Sequence, residues 1–215
     1  MTRALKELVS EYKNRKHEIR KRLKEFACLH KGRDEDIFRE LSFCILTANA
    51  NAMRCDEAVK ELARLGLLLK GMPRQLRPVL RGRTRFHNKK ADYIIGARDL
   101  FKRGRSIDIK NSLDKKNILA TRDWLVENIK GFGYKEASHF LRNIGLGKDM
   151  AILDRHILKN LKRYGVIGRV PDSVGPKKAY IDIENKMKEF SKIINIPMEE
   201  LDLLFWSLQT GFIFK

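Results

Sequence analysis

Lys135 and Asp154, nineteen residues apart in a chain of 215, are the side chains best suited by type and setting to do chemistry. Lys135 follows the glycine turn Lys130-Gly131-Phe132-Gly133-Tyr134, where a helical apolar stripe (Ala137, Phe140, Leu141, Ile144) begins. A partly desolvated amine near the positive end of a helix has its ammonium form disfavoured, which is the condition an amine nucleophile needs. Asp154 could offset positive charge developing on a sugar ring. Each residue has a plainer alternative. Lys135 also suits a solvated phosphate contact, and Asp154 suits the N-cap of the helix that carries Ile157 and Leu158. Gly131 and Gly133 permit positive φ and leave backbone N–H groups open at a helix start. Such a turn can hold a phosphate through hydrogen bonds and the helix dipole without reading any base. It also suits an ordinary connection between two helices.

Apolar residues recur at helical spacing along nearly the whole chain. Leu5, Leu8, Tyr12, Ile19, Leu23 and Phe26 form one stripe on a heavily charged segment, and Tyr180, Ile183, Met187, Phe190 and Ile194 form another. Shorter stripes lie at Ile37–Ile45, Ala58–Leu65, Ile94–Phe101, Trp124–Ile129, Ile157–Leu161 and Leu201–Leu208. About ten helices and no strand alternation predict an all-α protein. Glycine and proline punctuation between the stripes is closely spaced, no low-complexity linker occurs, and two domains would therefore pack closely.

Lysine and arginine total 46 against 27 acidic residues, a formal net charge of +19 that points to a polyanionic partner. No apolar run approaches the roughly 20 residues that cross a bilayer, and the basic start lacks a signal-like apolar block. The three cysteines, Cys28, Cys44 and Cys55, form no C-x-x-C pair and read as core thiols rather than as a disulfide framework or metal cluster.

Taken together, Ile129-Lys-Gly-Phe-Gly-Tyr-Lys135 and Asp154-Arg-His156 resemble the signature of base-excision DNA glycosylases: a helix-hairpin-helix, a glycine/proline-rich loop and an aspartate. The family pattern is L-P-G-V-G-x-K followed by V-D-x-H; here Lys130 stands in place of the proline and Leu153 in place of the valine. A lysine at position 135 resembles the bifunctional members, which cut the glycosidic bond through a covalent imine and then nick the strand. Upstream, Leu46-Thr-Ala-Asn49-Ala-Asn51-Ala-Met-Arg54 is similar to the segment of 8-oxoguanine glycosylases that fills the gap left by the extruded base. The resemblance gives Asn49 the wedge position and makes Asn51 its companion; by themselves these asparagines equally suit a helix end or an Asx turn. Arg83-Thr-Arg85-Phe86-His-Asn-Lys89-Lys90-Ala91-Asp-Tyr93 is similar to the G-x-x-x-x-K-A-x-x-I element of the superfamily. Phe86 among these basic residues suits stacking on a base, though a phenylalanine equally suits a core. Phe205-Trp206 and Thr210-Gly-Phe-Ile-Phe-Lys215 resemble the short archaeal type, which stops at a lysine that enters the base pocket. The iron–sulfur cysteine quartet of the endonuclease III branch is absent, since no cysteine follows Cys55, as is the amino-terminal β domain of the eukaryotic enzymes.

The resemblance implies two helical domains: a barrel-like one over residues 41–151 that includes the hairpin, and one formed by residues 1–40 with 152–215. The active site would lie in the cleft between them, with Lys135 facing Asp154. The implied reaction is excision of a flipped 8-oxoguanine through a lysine Schiff base, then β-elimination. Gly131, Gly133 and His156 would grip the backbone, Asn49 and Asn51 the opposite strand, and Phe86, Trp206 and Lys215 the purine. No metal or organic cofactor is expected. The expected partner is double-stranded DNA with a damaged base, not a membrane, and the expected state is a monomer in the cytoplasm, associated with DNA. Two alternatives are an endonuclease III-like glycosylase for oxidised pyrimidines and a non-catalytic helix-hairpin-helix DNA-binding module. The latter would require neither Asp154 nor Asn49.

Overall fold

The computed structural model describes residues 2–215. Among them are eleven α-helices: α1 (Arg3–Leu29), α2 (Asp34–Thr47), α3 (Ala52–Arg64), α4 (Leu67–Lys70), α5 (Pro73–Leu80), α6 (His87–Phe101), α7 (Ile118–Asn128), α8 (Tyr134–Asn143), α9 (Arg155–Arg163), α10 (Lys177–Ile193) and α11 (Met198–Thr210). The fold is all-α, as the periodicity predicts. The only sheet among the described residues is an antiparallel pair, β1 (Lys102–Arg103) with β2 (Ser106–Ile107), turned at Gly104 with φ +60°. Four residues without an apolar alternation leave no pattern to read, which is why this hairpin is invisible in the sequence. Two short helices, α4 and α5, also lie where the sequence shows mainly turn signals. Pro73 opens α5 at a position whose N–H has no partner in the helix, and the Gln75 side chain accepts from the Met72 N–H at 2.9 Å.

Two compact units divide the chain. One spans Leu29–Phe140, and the other combines the stretch ending at Cys28 with Leu141–Lys215. Their limits fall at 28/29 and 140/141, whereas the sequence places them at 40/41 and 151/152. Within the first unit α2 is the buried centre. Asp34, Glu35 and Asp36 in its first turn favour the positive helix end, and everything from Leu41 to Thr47 is buried. Because α2 belongs wholly to the unit it centres, the limit lies ahead of it. The second unit is built on the α1 stripe, with Leu8, Tyr12, Ile19 and Phe26 buried, and on α10 and α11. The Tyr12 hydroxyl donates to Glu200 Oε2 at 2.6 Å, and Arg20 Nε donates to Glu200 Oε1 at 3.0 Å. Cys44 and Cys55 are buried, but Cys28 is exposed because it lies two positions past Phe26, off the apolar stripe.

Candidate active site

Around Lys135, helix α7 ends at Ile129, Gly131 turns the chain at φ +88°, and α8 begins at Tyr134. Gly131 is required on two counts: its φ is left-handed, and a Cβ there would stand 2.6 Å from the Tyr93 ring. Gly133 has no such constraint, and a Cβ there would meet only Glu136 Oε2, at 3.4 Å. The Gly133 N–H is not open as the glycine pattern suggests; it donates to Glu136 Oε2 at 3.1 Å, one half of a capping box that starts α8. Lys135 stands in this first turn with its side chain one-fifth exposed, and its Nζ is 3.6 Å from Glu136 Oε1. Its neighbours in the turn are pinned to α7. The Tyr134 hydroxyl donates to Asp123 at 2.8 Å, Arg122 lies 5.4 Å over the Tyr134 ring, and the buried Arg122 donates to Ser138 at 3.2 Å.

Asp154 is the N-cap of α9, accepting the Ile157 N–H on Oδ1 at 2.8 Å. The capping role is therefore real, and it occupies one carboxylate oxygen through one bond. The preceding Ala151-Ile152-Leu153 is buried and held by α10. Glu184 accepts the Ala151 N–H at 2.8 Å, and the Tyr180 hydroxyl donates to the Ala151 carbonyl at 2.6 Å and accepts the Leu153 N–H at 3.3 Å. His156 follows in the first turn of α9, half-buried. Sequence reasoning finds Tyr180 only as part of an apolar stripe and passes over Glu184; a carboxylate on the buried face of an amphipathic helix is the signal that marks it.

Asn49 is exposed at φ +53°, just past the end of α2. Asn51 caps α3 by accepting the Arg54 N–H at 3.1 Å, so its side chain has the helix-start role that its residue type also suits. Beneath this turn lies Lys90, 4 % exposed, which sequence reasoning treats only as part of a motif. Burial pushes its pKa down to about 8; Lys135 and Arg85 act in the same direction, and Cys55 and Glu136 oppose it. Phe86, before α6, is 60 % exposed at φ +55°, with the Arg85 guanidinium 5.5 Å from its ring. It is not a core residue. Trp206 packs against Phe212 at 5.2 Å and Phe214 at 6.0 Å, and Lys215 Nζ lies 6.0 Å from the Phe214 ring. Arg22 Nε donates to the Phe214 carbonyl at 2.6 Å, which folds this segment back against α1.

Lys135, Asn49, Asn51 and Phe86 thus belong to the Leu29–Phe140 unit, and Asp154, His156, Trp206 and Lys215 to the other. Among the described residues no group of three or more His, Cys, Asp or Glu side chains could hold a metal ion. No helix among them is long and apolar enough to cross a membrane.

Comparison with known proteins places the chain in a family. The family model described as 8-oxoguanine DNA glycosylase matches residues 19–196. An 8-oxoguanine DNA glycosylase/AP lyase of Fusobacterium nucleatum is 42 % identical over 208 residues, covering 95 % of this chain and 94 % of that one. The crystal structure of the Methanocaldococcus jannaschii 8-oxoguanine glycosylase/lyase with a 15mer DNA containing 8-oxoguanine matches with a TM-score of 0.88 at 37 % identity, covering 100 % of both chains. The Thermotoga maritima 8-oxoguanine DNA glycosylase structure matches with a TM-score of 0.83 at 37 % identity, covering 99 % of this chain and 98 % of that one. The chain belongs to the 8-oxoguanine DNA glycosylase family.

Proposed function

We infer that this protein removes 8-oxoguanine from duplex DNA and then nicks the strand at the resulting site. The observation that carries the reading is a lysine on the first turn of α8, behind the Gly131 hairpin, in a chain of this family. The glycosidic carbon is unreachable inside the base stack, so the damaged nucleotide is flipped out. Lys135, once its ammonium has lost a proton, attacks C1′ through Nζ. The C1′–N9 bond breaks, and its electron pair leaves with the purine, which takes up a proton. Asp154 offsets the positive charge on the sugar as this happens. Opening of the sugar ring leaves a Schiff base, loss of a C2′ proton then expels the 3′ phosphate, and water returns the lysine.

The remaining residues serve binding. The hairpin around Gly131 and Gly133 and the first turn of α9 at His156 take backbone phosphates, and the +19 charge supplies the long-range attraction. Asn49, exposed on its left-handed turn, enters the space left by the extruded base, and Asn51 holds that turn as the cap of α3. Phe86, Trp206 and Lys215 hold the purine. 8-Oxoguanine differs from guanine by an N7 proton and a C8 carbonyl, so one acceptor on that N–H discriminates by about 1–3 kcal/mol.

The test is incubation with duplexes that carry 8-oxoguanine, thymine glycol or uracil. Cleavage of the first is expected; cleavage of the second alone would instead favour a pyrimidine-specific enzyme, and cleavage of none would favour a binding module. Lys135→Gln should keep DNA binding but lose both the borohydride-trapped adduct and the nick. Nicking at the wild-type rate would overturn the assignment of the nucleophile.

A further inference from the structure

A buried charge outside the reacting groups is Lys90. Its Nζ donates to the Leu46 carbonyl at 2.8 Å, the Ala48 carbonyl at 2.6 Å and Thr84 Oγ1 at 2.9 Å, so each ammonium hydrogen has an oxygen. The Leu46 carbonyl also accepts Thr84 Oγ1 at 2.8 Å and Cys55 Sγ at 3.1 Å. It lies in the last turn of α2, where carbonyls have no partner within the helix and the dipole favours a cation. Ala48 is the residue immediately before Asn49, whose φ of +53° lies in the left-handed region that asparagine tolerates better than most side chains. One ammonium thus ties the end of α2 to the first peptide of the turn that presents Asn49, while Asn51 anchors the other end as a helix cap. A buried lysine costs desolvation, and a fold that only needed the space filled would meet no such cost with an apolar side chain.

We propose that Lys90 is a positioning residue for the opposite-strand wedge: it holds the Ala48–Asn51 turn in the geometry that delivers Asn49 to the gap in the duplex. The proposal rests on the function inferred above. It predicts that Lys90 matters where a gap must be filled and not where the lysine chemistry proceeds without one.

The experiment compares wild type, Lys90→Met, Asn49→Ala and the double variant in two assays: single-turnover release of 8-oxoguanine from a duplex, and borohydride trapping on a single-stranded abasic oligonucleotide. Lys90→Met should slow the duplex reaction about ten- to a hundredfold, the scale of misplacing a positioned group, and leave single-strand trapping within about twofold. In the Asn49→Ala background the same change should add less than about twofold, because its target is gone. Thr84→Val, which keeps the lysine and removes one tie, should move in the same direction by less and stands in should Lys90→Met not fold. Equal losses in both assays, or full multiplicative loss in the double variant, would overturn the role of Lys90. A wild-type chain that releases no 8-oxoguanine would overturn the proposed function and this inference with it, so the two failures are distinct.

Discussion

Replacing the two hairpin glycines in turn should separate a fold requirement from a binding one. At Gly131 an alanine must adopt φ +88°, which costs an L-residue about 1–2 kcal/mol. Its Cβ would also stand 2.6 Å from Tyr93 Cδ2 and 2.9 Å from Cε2, an overpacking worth about 1–3 kcal/mol that the half-buried ring relieves in part by moving. The sum is about 2–5 kcal/mol, or roughly 4–20 °C in melting temperature for a chain of this size. Gly133→Ala meets neither penalty, since its φ is not left-handed and its nearest neighbour is a carboxylate oxygen at 3.4 Å. It should leave stability unchanged or raise it by about 0.4–1 kcal/mol through the unfolded chain. Its methyl group would nevertheless obstruct an approaching phosphate, so affinity for DNA should fall. Denaturant unfolding and a fluorescence-anisotropy titration on the same preparations read both quantities. In a Tyr93→Ala background the cost of Gly131→Ala should shrink to the backbone share of about 1–2 kcal/mol. Equal stability losses at 131 and 133, or an undiminished loss without the tyrosine ring, would refute the reasoning.

Asp154 has a capping role and a proposed chemical one, and two variants distinguish them. Asp154→Ala should cost about 0.5–2 kcal/mol of stability by removing the acceptor for Ile157, whereas Asp154→Asn keeps an acceptor and should melt close to wild type yet release base far more slowly. Alkaline unfolding should carry two opposed signatures. The folded pKa of Lys90 lies near 8 against 10.5 in the unfolded chain, so the unfolded state holds more protons between those values and stability should rise with pH across that window. The gain is at most about 3 kcal/mol, the buried Cys55 thiol with its raised pKa opposes it in the same range, and Lys90→Met should remove the rise. Tyr12, pushed up to about 12 by burial and by its bond to Glu200, keeps its proton when folded after the unfolded chain has lost it. Stability should therefore fall between about pH 10 and 12, and Tyr12→Phe should lessen that fall in a pH series of unfolding curves, the remainder belonging to Tyr164, whose pKa burial also raises.

The amino-acid sequence by itself determined the helical class and the longer helices, because an apolar stripe at a spacing of three and four has one economical way to be buried. It also determined the hairpin, since Gly131 and Gly133 before an apolar stripe are a local signal, and residue type and setting marked Lys135 and Asp154, whereas Asn49 was marked only by resemblance to the glycosylase family. Tertiary structure decided what those residues touch. The Gly133 N–H meets Glu136, and Asp154 spends one oxygen on capping α9. The peptide before Asn49 is held by the ammonium of Lys90, and Tyr180 and Glu184 hold the segment before Asp154 from a later helix. Such partners have no period and no fixed spacing in the chain. A buried lysine or glutamate is stable only where oxygens or N–H groups from distant segments converge on it, and that convergence exists only once the helices have packed.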